Sequence, residues 1–400
     1  MDKSDLPTKV LLVDDDPAYV RAQADFLLRH QIGVQFAHDL QSALYLYNQH
    51  KFDVAVVELE FEEVPGLALL QRWRGHEVIP KRMTGFVVSC GRARTAGDDN
   101  LIKELGEIQT IQKPCTDLKL LPVMTKAMAA HRRALAAYEL EIRVLGLLAK
   151  KTEISPIVQE VVSKLPELGN RGLALLARMY DQTGAYAEGL ALLQKLGEKN
   201  QSNIALVNLQ ARMMLQLGRH QEAMQLMEKA DNLAPQNIQR IEAMAQAYLE
   251  MRKPEQSCKK FKEMIRLHPD SPDMKFKIYD ELYSQGYDVH ACQLGKETAT
   301  PMEVVRYYNN KGVALSKSGH KEEALRNYDN AVKFYPNFRE NYRIYFNIAL
   351  AQAGSANERD VEKARKSVEQ CLKLKPDFEK ARNLKDSLEA RLKKGRGKSA

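Results

Sequence analysis

Apolar residues in the first ~120 positions come in short uninterrupted runs, and beyond that point they recur at helical spacing. The clearest runs occupy residues 9–13, 52–57 and 84–88, with weaker ones at 34–37 and 109–112. Amphipathic stretches separate them. Continuous apolar strands alternating with helices predict a parallel sheet covered on both faces. The expected fold is α/β, a doubly wound sheet of about five strands, whose ligand edge lies at the carboxyl ends of the strands.

From about residue 117 to 150 helical periodicity runs almost without interruption through Leu120, Met124, Met128, Leu135, Leu140 and Leu147. Pro122 is expected in the first turn, where a missing N–H costs nothing. The apolar spacing holds no clean heptad, so docking on the following domain is expected in preference to a coiled coil. Past residue 170 a fixed period of 34 sets in. Pro235 and Pro269 are one period apart, and so are Tyr180, Met214, Tyr248 and Leu282 in succession. A period of this length marks stacked helical hairpins.

Composition refines this picture in two ways. Of 60 basic and 52 acidic side chains in the 400 residues, 14 and 18 fall within residues 1–125, so the first part carries −4, the remainder +12, and the excess positive charge lies in the remainder. That favours a partner with an acidic surface and leaves nucleic acid disfavoured. Five scattered cysteines, Cys90, Cys115, Cys258, Cys292 and Cys371, form no C-x-x-C pair, which argues against a disulfide framework or a structural zinc. The first apolar run stops at three aspartates and no later stretch reaches the ~20 residues of a spanning helix, so a cytoplasmic protein is expected.

Candidate chemistry collects at the predicted strand ends. Asp14, Asp15 and Asp16 follow the first strand, Glu58 follows the third, and Lys113 with Pro114 follows the fifth. Clustered carboxylates suit a hard cation such as Mg2+, and a converging lysine would neutralise added negative charge. No phosphate-binding glycine loop, zinc-protease helix or nucleophile elbow occurs, so no enzyme is expected.

On these residues the first ~130 positions resemble the receiver domain of response regulators. The matching pieces are residues 10–17, 52–59 with Gly66 beyond, 87–89, and Lys113-Pro114. The resemblance implies that Asp14 and Asp15 are the acidic pair that holds Mg2+ and that Ser89 and Lys113 contact a phosphoryl group. It also implies a histidine kinase, or another regulator, as a partner. The phosphoacceptor position holds Glu58 in place of aspartate, and the switching aromatic three positions before the lysine is Thr110. One extra methylene displaces the nucleophile when in-line attack tolerates about an ångström, so ordinary phosphorylation is not expected. Glu58 either marks a lost switch or mimics an active state by pairing with Lys113. Glu60, Glu62 and Glu63 add charge to the same loop.

Residues 305–338 resemble a tetratricopeptide repeat through Tyr308, Gly312, Leu315, Gly319, Ala324, Tyr328, Ala331 and Pro336. Weaker copies begin at 171, 204, 238, 272 and 339, the last with an insertion near 355–360 and the one before it degenerate in its second half. The implied architecture is an all-α tetratricopeptide superhelix whose groove takes a protein partner. The expected domains are a receiver-like domain at 1–130, a helical connector at 131–168, about six repeats at 169–377, and a capping helix with a basic tail at 378–400. Asn208, Arg212, Gln246, Asn309, Arg343 and Asn347 are the candidate groove residues. The expected function is a signal-transduction adaptor. The alternatives are a working phosphorelay receiver that switches the groove, and an RNA-associated helical-repeat protein.

Overall fold

The computed structural model describes residues 5–61, 64–75, 79–115, 117–149, 154–198, 203–269, 271–354 and 357–396. Glu62, Glu63, Lys150 and the last four residues of the basic tail lie outside them, as does Ser355 in the expected insertion.

Seven strands occur among these residues: β1 Lys9–Val13, β2 Gly33–Ala37, β3 Val54–Glu58, β4 Glu60–Phe61, β5 Val64–Pro65, β6 Gly85–Cys90 and β7 Ile108–Gln112. Five pair in parallel in the order β2-β1-β3-β6-β7, while β4 and β5 form a small antiparallel pair beside the site. Helices α1 Pro17–Arg29, α2 Leu40–Gln49, α3 Gly66–Arg74, α4 Ile79–Arg82 and α5 Ala96–Leu105 connect the strands. The central strands β3 and β6 are buried along their whole length, which is why they read as continuous apolar runs. Glu58 is the last residue of β3 rather than the first beyond it, and it lies opposite Ser89 in the ladder.

The helix α6 spans Asp117–Ala149. Its first half covers the sheet through Leu120, Met124 and Ala127, and its second half packs Leu140 and Val144 against Val161, Leu173 and Leu176. One helix thus belongs to two cores. Pro122 sits inside it rather than in the first turn.

Short helices α7 Ser155–Ser163 and α8 Leu165–Leu168 lead into six helix pairs among the described residues. They are α9 Asn170–Thr183 with α10 Tyr186–Glu198, α11 Ile204–Gln216 with α12 His220–Leu233, and α13 Ile238–Glu250 with α14 Pro254–Arg266. The later pairs are α15 Pro272–Ser284 with α16 Asp288–Thr298, α17 Pro301–Lys317 with α18 Lys321–Phe334, and α19 Asn341–Ala353 with α20 Glu358–Leu374. A last helix, α21, covers Glu379–Arg396.

Two compact units result, residues 1–270 and 271–400. This differs from the expected division, which separated the sheet from all of the repeats: the first three pairs fold into one unit with the sheet domain. In the second unit Phe276 stacks on Tyr307 at 4.0 Å, and Tyr308, Tyr279 and Tyr283 gather around Phe334. Val361, Ala364, Val368 and Cys371 of α20 meet Ala381 and Leu388 of α21, so the last helix covers the apolar face of the final pair.

Gly312 and Gly146 give opposite expectations. A Cβ on Gly312 would lie 2.4 Å from the Tyr328 ring, while one on Gly146 would meet nothing within 4 Å. Gly312→Ala is expected to cost about 1–3 kcal/mol by overpacking the helix pair. Gly146→Ala, in the interior of α6, should gain up to ~1 kcal/mol from backbone entropy. Urea midpoints of the two variants check both signs.

Candidate functional site

All five parallel strands end at one edge, and the loops there carry the titratable groups. Asp16 closes the aspartate run structurally: it is the N-cap of α1 and accepts from Ala18 N at 2.9 Å and Tyr19 N at 3.1 Å. Asp14 is only 3% exposed, whereas Asp15 is exposed. The Asp14 carboxylate accepts from the backbone N–H of Asp16 at 3.0 Å. Its main chain is tied to the Ala37 carbonyl at 3.1 Å and to His38 Nδ1, also at 3.1 Å.

Glu58 is 5% exposed and makes three polar contacts. Oε1 accepts from Gly91 N at 3.0 Å, and Oε2 accepts from the Ser89 hydroxyl at 3.2 Å. Oε2 also pairs with the Lys113 ammonium. Lys113 follows β7 and begins a cis Lys113-Pro114 peptide bond. It reaches Asp14 Oδ2 at 2.5 Å as well, so one cation serves two carboxylates. The Tyr19 ring lies 4.4 Å from the same ammonium.

Burial and pairing pull against each other in this pocket. Burial pushes the Asp14 carboxyl above its ordinary value despite Lys113 beside it. Burial also opposes the Lys113 charge, but hydrogen bonds to Asp14 and Glu58 prevail and hold its ammonium above the usual lysine value. Burial raises the Tyr19 phenol, helped by the nearby Cys115, Asp14 and Glu58.

Gly66 gives the acceptor strand its close support. A Cβ there would lie 1.9 Å from the Glu58 carbonyl oxygen, and Gly66 N donates to Leu59 O at 2.8 Å. Any side chain at residue 66 would push the loop off β3.

The geometry brings Asp14, Glu58, Ser89 and Lys113 together and leaves Asp15 at the surface. Gly91, Tyr19 and His38 join them without having been singled out in the sequence; Gly91 had a signal, standing two residues past Ser89 just beyond a strand end. The donors fit a divalent cation poorly. The two buried carboxylates already share an ammonium, and among the described residues no three of His, Cys, Asp and Glu converge on one point.

The candidate groove residues divide. Asn208 donates to Glu104 at the end of α5, and Arg212 pairs with Asp181 of α9. Gln246 is exposed. In the second unit Asn347 donates to Asn309 at 2.7 Å across α19 and α17, and Arg343 pairs with Tyr342 at 2.9 Å and Glu340 at 3.3 Å. The five cysteines are all free thiols. No described helix is long and apolar enough to cross a membrane.

Residues 10–125 match the family model of the response regulator receiver domain. Residues 175–286 match the N-terminal TPR repeats region of Psidin, and 305–338 match a tetratricopeptide repeat. The virulence transcriptional regulatory protein PhoP of Shigella flexneri is 34% identical over 79 residues, 18% of this chain and 31% of that protein. The chain therefore spans about a third of that relative's length. A receiver domain protein from Clostridium thermocellum is 18% identical with a TM-score of 0.28, covering 31% of this chain and 97% of that one. A tetratricopeptide repeat protein from Parabacteroides merdae is 11% identical with a TM-score of 0.32, covering 63% and 98%. With the five-stranded parallel sheet and the helix pairs already described, the three family-model matches identify a response-regulator receiver domain followed by tetratricopeptide repeats in this chain.

Proposed function

We propose that the chain is a cytoplasmic, non-enzymatic signalling adaptor, an atypical response regulator whose repeats bind a partner protein and whose receiver domain is not phosphorylated in the usual way. The observation that carries this reading is the reach of Glu58. Its longer side chain puts a carboxylate onto the Ser89 hydroxyl, the Gly91 N–H and the Lys113 ammonium. These are the kinds of donors that would receive phosphoryl oxygens, so a fixed charge takes up the pocket in advance. A carboxylate brings one negative charge where a phosphoaspartate brings about two. The result is a receiver held in one state and used as a docking surface. Mg2+ would have to compete with Lys113 for Asp14 and Glu58. A histidine kinase or another regulator remains within the class of protein partners.

A second reading has one observation in its favour. Asp14, Ser89 and Lys113 are assembled around an acceptor carboxylate, so a phosphorelay receiver that takes phosphate on Glu58 and switches the groove stays testable. Acetyl phosphate should leave the wild-type chain unlabelled and label Glu58→Asp, as read by intact-protein mass. Labelling of the wild type would favour the second reading. Pull-down from native lysate with the full chain and with Glu58→Gln should capture the same protein, independent of acetyl phosphate.

The shared lysine makes two further outcomes measurable. Lys113→Met strands two buried carboxylates and should cost roughly 3 kcal/mol. Glu58→Gln in that background should recover part of the loss, with a coupling of about 1–3 kcal/mol in a double-mutant cycle of urea midpoints. Because the folded-state Lys113 value is raised above 10.5, its stabilisation is fully present below that pH and is lost as pH rises through the folded value. The stability gap between wild type and Lys113→Met should therefore hold from about pH 7 to 10 and close above that.

A further inference from the structure

The receiver domain and the first three helix pairs meet around a buried ion pair that belongs to neither the phosphoacceptor pocket nor a repeat core. Glu104, in the last turn of α5, has a side chain 3% exposed, and Arg240, in the first turn of α13, has one 0% exposed. Arg240 Nη1 donates to Glu104 Oε1 at 3.0 Å and to Oε2 at 3.2 Å. Asn237 Nδ2 donates to Oε1 at 2.7 Å, and the Asn208 amide donates to the same oxygen. The arginine is itself held in place. Nε reaches Asp231 at 3.3 Å, Nη2 donates to the Ala234 carbonyl, and Asn208 Oδ1 accepts from Nη1 at 3.2 Å.

This is a built carboxylate receptor: a guanidinium and two amides, oriented by the repeats' own groups, converge on one acidic side chain. Each member comes from the repeats, and the ligand comes from the receiver. The surrounding contacts fit α5 to the same surface. Asn170 Nδ2 donates to the Glu104 carbonyl at 2.7 Å, and Arg74 donates to the Gly106 carbonyl at 2.6 Å, so the open end of the helix is satisfied from both sides. Asn100 donates to the Leu233 carbonyl at 2.9 Å. Gln71 exchanges bonds of 2.9 Å with the Gln236 carbonyl and the Ile238 N–H.

We propose that Asn208, Asn237 and Arg240 form a carboxylate-recognition site on the second and third repeats, that the receiver's own Glu104 occupies it, and that a partner presenting an acidic side chain at a helix end must displace Glu104 to use it. Burying a charge away from water is costly, and with α5 lifted away Arg240 would keep only Asp231, at 3.3 Å from Nε, of its two carboxylate partners. An empty site leaves the guanidinium short of one of its two acids, which favours its being filled, in cis or by another acid. This rests on the adaptor reading only for the identity of the competitor; the cis site stands on its own geometry.

Chemical rescue by acetate, with the full chain, tests the site. Glu104→Ala should lower the melting temperature by several degrees, and acetate at constant ionic strength should restore at least half of that loss relative to chloride. Wild type and Glu104→Ala/Arg240→Met should show no acetate-specific gain. Absence of rescue in Glu104→Ala, or equal rescue without Arg240, overturns the receptor. Hydrogen exchange gives the second measurement. Amides of α5 and the start of α13 should exchange at least tenfold faster in Glu104→Arg while those of β1 and β3 stay protected, and Glu104→Arg/Arg240→Glu should return most of the protection. Unchanged α5 protection in Glu104→Arg overturns the clamp. If Glu104→Arg instead loses protection everywhere, failure of the charge-swapped chain to recover overturns it.

Discussion

In-register parallel pairing is the constraint on which the receiver edge depends. Because β1, β3, β6 and β7 all run the same way, residues distant in sequence finish at one line: Val13 beside Val57, Glu58 beside Ser89, and Cys90 beside Gln112. A slip of one residue would take Glu58 out of register with Ser89 and turn side chains to the opposite face of the sheet. Carboxylates, hydroxyl and lysine are thus delivered to a common point before any of them interacts.

What happens at that point is a contest between burial and pairing. Two nearly inaccessible carboxylates and one ammonium leave the pocket one negative charge in excess, and the hydrogen bonds from Ser89, Gly91 and Asp16 spread it. An aspartate at residue 58 would sit one methylene short of these donors. The glutamate closes the gap, and its carboxylate takes up the Ser89, Gly91 and Lys113 donors.

A second buried ion pair governs how the chain divides. Glu104 and Arg240 join the sheet domain to the first three helix pairs, and α6 contributes to both cores, so the compact unit extends to residue 270. The boundary follows the contacts and not the change from α/β to all-helical pattern at residue ~130. Ion pairs of this kind add little net stability over an apolar contact, but they penalise every arrangement in which one charge is left alone. That penalty makes the docking specific.

Local pattern was enough to determine most of the architecture. Apolar runs located the five parallel strands to within about two residues, because strands buried on both faces admit almost nothing else. The 34-residue period located the helix pairs, because the two helices of a pair set small residues against large ones; Gly312 of α17 against Tyr328 of α18 is the direct expression of that rule. The sequence also named Asp14, Glu58, Ser89 and Lys113, whose meeting is a matter of strand order alone. Tertiary structure decided what no spacing encodes. Asp15 stays at the surface while Asp14 is buried, Asp16 serves as a helix cap, and Asn208 bonds to Glu104, a residue 104 positions away in the chain. Periodicity records which face of an element is covered, but not by what, and the choice of partner for a buried charge is made only when two folded surfaces meet.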